Sequence, residues 1–295
     1  MRALRITAFG PADVLEVTEV PEPHPGPGQL RIAVRASGVT PADWKIRAGL
    51  MPGLPLPRLL GFDAAGVVDE IGPGVTGVAA GDEVFGATDI ARLGGANADF
   101  AVLVAWAPKP AAWSWAEAGG AAGNIETATR ALDRLAVGAG TTLLIEGAAG
   151  GVGTVAVQLA VARGARVIGT ASERNHAFLS TLGAVPTTYG PGLAERVTGV
   201  DAALDCAGSG SLPDLLTIAD RVVTVADVNA GAHLTTSAGP NADPPAWHGL
   251  HTAAGLADEG RLTVPLAGVF PLTDAAAAHR LSESGHARGK IVLTN

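Results

Sequence analysis

Through the first 120 residues, apolar and polar positions alternate in short runs separated by proline and glycine. Leu30-Arg-Ile-Ala-Val-Arg-Ala36 is one such run, and Pro21-Glu-Pro-His-Pro-Gly-Pro-Gly28 is the loop before it. A period of two bounded by turn residues predicts strands. Residues 64–72 form another strand-like run closed by Gly72-Pro-Gly74, and Gly81–Gly86 is a turn leading into a short strand. From about Ala116 the period lengthens. Residues 124–136 carry helical spacing and stop at Gly138. Strands then alternate with helices: strand 141–146, helix 151–163, strand 165–171, helix 173–182, strand 185–189 and a short helix near 192–197. Strand 200–206, helix 211–219 and strand 221–227 follow. The pattern turns β-like again over 261–270, and a helix at 273–284 and a last strand at 290–293 complete the chain.

Alternation of strand and helix predicts an α/β fold, a Rossmann-type doubly wound parallel sheet with right-handed crossovers. The final segment is too short to be a domain. It is expected to return to the β-rich region, so that residues 1–122 and 262–295 form one domain and 123–261 a dinucleotide-binding domain inserted into it. The cleft between the two is then the expected active site, lined by loops 47–59 and 240–248.

The segment Thr141-Thr-Leu-Leu-Ile-Glu-Gly147-Ala-Ala-Gly150-Gly151-Val-Gly153-Thr carries the strongest chemical signal. An apolar run ends in a glycine cluster that opens directly into a helical pattern, with Val152, Val155, Ala156, Leu159 and Ala160 on one stripe. Glycine lets main-chain amides approach a pyrophosphate, and the first helical turn points N–H groups at the anion. Gly147, Gly150, Gly151, Val152 and Gly153 are the expected pyrophosphate ligands; a tight turn in an ordinary α/β unit is the bland alternative. An acidic residue about 20 positions beyond such glycines binds the ribose of NAD. Here Ala171 occupies that place, followed by Ser172 and Arg174, which suit a 2′-phosphate and favour NADPH over NADH. Glu173 becomes the ribose ligand if the register shifts by two, and Arg174 is then a solvated residue at a helix start.

Composition narrows the partners. The 295 residues are 47% hydrophobic and 16% charged, with a formal net charge of −8 and only three lysines, Lys45, Lys109 and Lys290. Nucleic acid and anionic membrane surfaces are poor partners for such a chain. The single cysteine, Cys206, permits neither an internal disulfide nor a cysteine-rich zinc site. No signal-peptide pattern or long apolar run is evident, which leads us to expect a cytoplasmic protein. The seven histidines are scattered; His248 and His251 lie three apart on an expected helix, but no carboxylate or cysteine joins them at ligand spacing. Glu146, beside the glycine turn, is an odd neighbour for a pyrophosphate.

These features, with Gly61-Phe-Asp-Ala-Ala-Gly-Val-Val-Asp-Glu-Ile-Gly72, Gly81-Asp-Glu-Val-Phe-Gly86 and Gly289-Lys-Ile-Val-Leu293, resemble the medium-chain dehydrogenase/reductase superfamily over essentially the whole chain. The segment Ala36-Ser-Gly-Val-Thr40-Pro-Ala-Asp43-Trp44-Lys45 resembles the signature of its zinc-free quinone oxidoreductase branch, where asparagine is usual at the position of Thr40. The resemblance implies a GroES-like β domain, a nicotinamide coenzyme and a homodimer. It also aligns Thr40, Phe62 and about Gly123 with the three catalytic zinc ligands of zinc alcohol dehydrogenases, so it implies no zinc. Without a Lewis acid to stabilise an alkoxide, an already electrophilic acceptor is favoured: a quinone or an α,β-unsaturated carbonyl.

The resemblance further places Thr127 beside the nicotinamide ribose, Tyr189 against the adenosine phosphate, and the loop Asp227 to Asn229 near the nicotinamide amide. For Tyr189 a half-buried strand-end aromatic is the competing reading. Some related enoyl reductases carry a proton-donating tyrosine where this chain has Pro41. Thr40, Asp43 and Lys45 remain as candidate catalytic residues, with Trp44 beside them. Asp43 reads equally as a helix cap, Lys45 as a surface residue, and solvent as the proton source. Three functions follow as alternatives: an NADPH-dependent quinone or enone reductase, a discrete enoyl or ring reductase of a biosynthetic pathway, and an NADPH-binding protein without turnover.

Overall fold

The computed structural model describes residues 1–51, 53–89, 95–237, 239 and 242–295. Along the chain run β1 (Arg2–Ile6), β2 (Leu15–Glu19), β3 (Leu30–Val39), α1 (Pro41–Arg47), β4 (Arg58–Leu59), β5 (Asp63–Ile71), β6 (Glu83–Thr88) and β7 (Phe100–Pro108). Next come α2 (Trp115–Gly119), α3 (Ala122–Arg134), β8 (Thr142–Glu146), α4 (Gly151–Ala162), β9 (Arg166–Thr170), α5 (His176–Thr181) and β10 (Val185–Thr187). The remainder is α6 (Leu193–Arg196), β11 (Ala202–Asp205), α7 (Leu212–Ile218), β12 (Arg221–Thr224), α8 (His248–Asp258), β13 (Leu266–Pro271), α9 (Ala275–Glu283) and β14 (Lys290–Thr294).

Two units are present. The first comprises Met1–Gly123 and Leu250–Asn295. Its six-stranded sheet has the order β13-β14-β3-β5-β6-β7, and β3 also pairs with β7, which curls β3, β5, β6 and β7 into a small barrel. Alternation places Leu30, Ile32 and Val34 of β3 inside with Val68, Val84 and Leu103. Irregular register between β3 and β5, at Arg31/Ile32 and Val34/Ala36, bends β3, which pairs with β5, β7 and β14. The last strand, β14, lies antiparallel to β3, with Ile291 opposite Val39. A second cluster, including Leu4, Ile46, Leu60, Leu272 and Leu293, packs around α1 and α9.

The second unit, Asn124–Gly249, holds a parallel sheet of order β10-β9-β8-β11-β12. Leu143, Leu144 and Ile145 of β8 are buried on both faces, as a continuous apolar run in a parallel sheet requires. A Rossmann-type doubly wound sheet inserted into a β-rich unit is the architecture that the alternation and the short tail predict.

Several details depart from the pattern reading, among them the strand expected over 221–227, which ends at Thr224. The segment expected as one helix over 173–182 is a 3-10 turn at Glu173–Asn175 followed by α5. The strand expected over 185–189 stops at Thr187, so Tyr189 lies in the loop beyond it; Pro186 within this edge strand has no N–H to extend a ladder. The β-like stretch from 261 becomes a strand only at Leu266.

Candidate dinucleotide site

β8 ends at Glu146, and Gly147 turns the chain with φ +73°, a conformation that disfavours any residue with a Cβ. The turn is closed by the Gly150 amide donating to the Gly147 carbonyl at 3.0 Å. It is tied to the end of β9: the Gly147 amide donates to Thr170 Oγ1 (3.2 Å) and the Ala148 amide to the Thr170 carbonyl (3.1 Å). α4 then starts at Gly151, with Gly150 as its cap. A Cβ on Gly153 would sit 2.3 Å from the Gly147 oxygen, so only glycine lets the helix pack this closely on the turn. The five expected pyrophosphate residues thus divide. Gly147 and Gly150 use their amides to build the turn, whereas the amides of Gly151, Val152 and Gly153 lie in the first helical turn and have no acceptor within the helix.

The sheet order reverses between β8 and β11, and the crevice at the carboxyl ends of such strands is where doubly wound folds bind ligands. Two carboxylates stand there in register, Glu146 on β8 and Asp205 on β11. Asp205 is saturated: Oδ1 accepts from the amides of Ala207 and Gly208 (2.8 and 2.9 Å), and Oδ2 from Thr224 Oγ1 (2.8 Å). Glu146, 3% exposed, accepts from Ser209 Oγ at 3.1 Å through Oε1, but its Oε2 has no partner. Removal from water, with Asp205 and Glu146 nearby, pushes the Cys206 thiol far up, so it stays protonated. Beside the first residue of α4 stands Asn124 of α3, 7% exposed, with an unpartnered Nδ2. A Cβ on Gly151 would lie 3.1 Å from that nitrogen. Free amides, a buried donor and a buried acceptor around a glycine turn fit a dinucleotide.

The remaining expected coenzyme residues lie around this sheet. Ser172 follows β9, half-buried; its carbonyl accepts from the Asn175 amide (2.8 Å) and its Oγ from Asn175 Nδ2 (3.3 Å). Glu173 and Arg174 are both exposed on the 3-10 turn. Tyr189 is 59% exposed, which removes the half-buried strand-end reading. Asp227 and Asn229 lie beyond β12, where Asp227 Oδ1 accepts from the Asn229 amide (2.9 Å) and Asn229 is exposed. Thr127 is half-buried on α3, donating to Glu126 Oε2 at 3.3 Å. Glu126 also holds Arg130 (2.7 Å to Nε), and Arg130 Nη1 donates to Thr235 Oγ1 (2.6 Å). This buried network fixes the segment after β12 against α3. Only the four-residue spacing of Glu126 and Arg130 hinted at it in sequence.

In the first unit Thr40 and Asp43 meet and Lys45 does not join them. Asp43 is fully buried at the start of α1. Its Oδ2 accepts from both the amide and the hydroxyl of Thr40 (2.7 Å each), and its Oδ1 accepts from the Gly61 amide (2.9 Å). Burial pushes the Asp43 carboxyl up, opposed by the hydrogen bonds from Thr40 and Gly61 and by the charge of Lys290. This is the helix-cap reading: Asp43 braces Thr40. Lys45 is half-buried, with Nζ 6.0 Å from the centre of the Trp44 ring. Of the three positions aligned with zinc ligands, Thr40 is engaged with Asp43, Phe62 lies in the core beside Leu60, and the Gly123 amide donates to Asp63 Oδ1 (2.8 Å). Among the described residues, no group of three or more His, Cys, Asp or Glu side chains gathers as metal ligands. Of the loops expected to line the acceptor site, Pro52, Pro240 and Asn241 lie outside the described residues.

Comparison with known proteins bears on these observations. Residues 26–129 match the alcohol dehydrogenase GroES-like domain family, and residues 184–293 the zinc-binding dehydrogenase family. A pikromycin polyketide synthase component of Streptomyces venezuelae is 44% identical over 56% of this chain, but the match spans only 4% of that much longer protein. The quinone oxidoreductase of Rattus norvegicus is 30% identical over 99% of this chain and 97% of its own length. Among solved structures, a mycobacterial protein complexed with NADPH superposes with a TM-score of 0.78 at 29% identity, covering 100% of both chains. The chain therefore belongs to the medium-chain dehydrogenase/reductase superfamily, in its quinone oxidoreductase-like branch.

Proposed function

We propose that the protein is an NADPH-dependent reductase that delivers hydride, without zinc, to a quinone or an α,β-unsaturated carbonyl. The observation that carries this reading is the glycine turn at the strand-order reversal, whose free amides and unpartnered buried polar atoms suit a dinucleotide. When bound, the coenzyme would supply hydride from C4 of its nicotinamide ring.

The chain's own residues hold and orient. Gly151, Val152 and Gly153 offer amides to the pyrophosphate, and Gly147 and Gly150 shape the turn that presents them. Ser172 and Arg174 offer a hydroxyl and a guanidinium to the 2′-phosphate; a carboxylate at Ala171 would have repelled it. Thr127, Tyr189, Asp227 and Asn229 complete the proposed coenzyme contacts. Thr40 directs its hydroxyl hydrogen at Asp43, so its lone pairs rather than its proton face outward. Lys45 adds positive charge near the developing oxyanion, and the proton that completes the reduction comes from solvent. Zinc independence is supported by the residues at the three aligned positions, a hydroxyl, a phenyl ring and a glycine, none a usual zinc ligand.

Homodimerisation and a cytoplasmic location belong to the same proposal. They are compatible with the net charge of −8, and no described helix is long and apolar enough to cross a membrane. The test is to titrate the purified protein with NADPH and NADH by coenzyme fluorescence. NADPH consumption is then followed with phenanthrenequinone and with simple enones. Saturable NADPH binding and turnover of either acceptor class is the expected result. Turnover of enones alone would select the enoyl or ring reductase alternative. Tight binding without oxidation would select the coenzyme-binding alternative, and no binding of either coenzyme would overturn all three.

A further inference from the structure

Glu146 and Asn124 are two of several described residues with an unpartnered buried polar atom, and these two stand at the glycine turn. Each is more than nine-tenths buried, and each leaves one polar side-chain atom without a hydrogen-bond partner. Folding leaves few such atoms, because withdrawing one from water costs free energy that only a partner returns. Both residues adjoin the same glycine turn, Glu146 directly before Gly147 and Asn124 beside Gly151. Asn124 Nδ2 lies 3.1 Å from where a Cβ on Gly151, the first residue of α4, would stand. Glu146 Oε2 lies at the end of β8, and the hydrogen bond from Ser209 holds its carboxylate toward the loop after β11. The two atoms also differ in sense, since an amide nitrogen donates and a carboxylate oxygen accepts. A pyrophosphate can only accept, whereas a ribose hydroxyl can donate.

Resting on the dinucleotide reading above, we propose that both residues bind the coenzyme: Asn124 donates to a pyrophosphate oxygen, and Glu146 accepts from a hydroxyl of the nicotinamide-side ribose. Topology selects that ribose. β9 lies on one side of β8 and its end takes the adenosine ribose, so the β11 side, where Ser209 stands, is left for the nicotinamide half. This gives the carboxylate a purpose beside an anion: it turns away from α4 and meets a diol, its usual partner in dinucleotide sites. Ser209 is then a positioning residue that fixes the carboxylate.

The test uses isothermal titration of the wild type, Glu146→Gln, Glu146→Ala and Asn124→Ala with NADPH and with 2′-AMP. The second ligand keeps the adenosine ribose and its 2′-phosphate but lacks the pyrophosphate and the second ribose. The expected result is NADPH binding weakened about tenfold or more in each variant, with 2′-AMP unchanged within about twofold. Apo Glu146→Gln is expected to melt no lower than wild type, because it removes a buried, incompletely paired charge. Should the wild type take NADH instead, adenosine replaces 2′-AMP. Variants that bind coenzyme as tightly as wild type, or an apo Glu146→Gln that melts lower with unaltered coenzyme affinity, would overturn the inference alone. A wild type that binds neither coenzyme would overturn the function proposed above and this inference with it.

Discussion

Lys290 Nζ lies 2.7 Å from Asp63 Oδ2, and both side chains are buried. The pair joins β14 to the start of β5, and the other oxygen of Asp63 accepts from the Gly123 amide at the start of α3. Breaking such a pair strands one charge. Lys290→Met is expected to lower unfolding free energy by about 3–5 kcal/mol. Adding Asp63→Asn is expected to restore most of the loss, because the amide oxygen still serves Gly123. Urea denaturation of the two variants checks this; equal losses in both would show that the charge is not what matters.

His279 sets an acid limb. It is 0% exposed, neither ring nitrogen has a partner, and burial together with the neighbouring Arg47 guanidinium lowers its pKa to about 3. The unfolded chain takes up this proton near pH 6.5, the folded protein only near pH 3. The stability contribution of neutral His279 is therefore complete above about pH 6.5 and is lost as pH falls toward 3. Thermal melts of wild type and His279→Leu across that window should diverge in slope, with the variant flatter. Parallel profiles would contradict the assignment.

Thr40→Val tests the source of the proton. Because the Thr40 hydroxyl is committed to Asp43, its loss should reduce kcat/KM toward phenanthrenequinone by about tenfold or less, the worth of one hydrogen bond. The loosened brace at the start of α1 should cost about 1 kcal/mol of stability. A fall in turnover as deep as that from disrupting the glycine turn would make Thr40 indispensable.

Coenzyme choice is tested at the end of β9. Arg174→Ala should weaken NADPH binding by about 10–100-fold, the worth of a charge-assisted contact, and leave NADH binding unchanged. If NADH binding instead weakens in Glu173→Gln, the acidic residue is the ribose ligand and the preference reverses.

The parts of the fold legible in sequence are those where neighbouring residues decide. β8, the glycines and α4 lie end to end, so a change of period from two to 3.6 with Gly147 and Gly150 between them marks the motif without tertiary information. Tyr189 was misplaced because β10 is a three-residue edge strand containing Pro186, and so little ladder leaves no periodic signal. The unpartnered atoms of Glu146 and Asn124 stayed hidden because such an atom is a property of packing. Asp63 and Lys290 stand 227 positions apart, and no local pattern joins them. Asp43 was legible as a cap from its place three residues after Thr40, but the Gly61 amide that fills its other oxygen was not.

The middle position of β14, between β13 and β3, has a consequence for synthesis. A ribosome finishes the entire parallel-sheet unit, an uninterrupted stretch of chain, before it reaches Lys290. Until then β3 lacks the ladder partner of Ala36 to Val39, and Asp63 lacks its lysine. The nascent protein is thus expected to mature its coenzyme unit first and to close its β-rich unit last, when one short strand delivers the missing hydrogen bonds and the missing positive charge together.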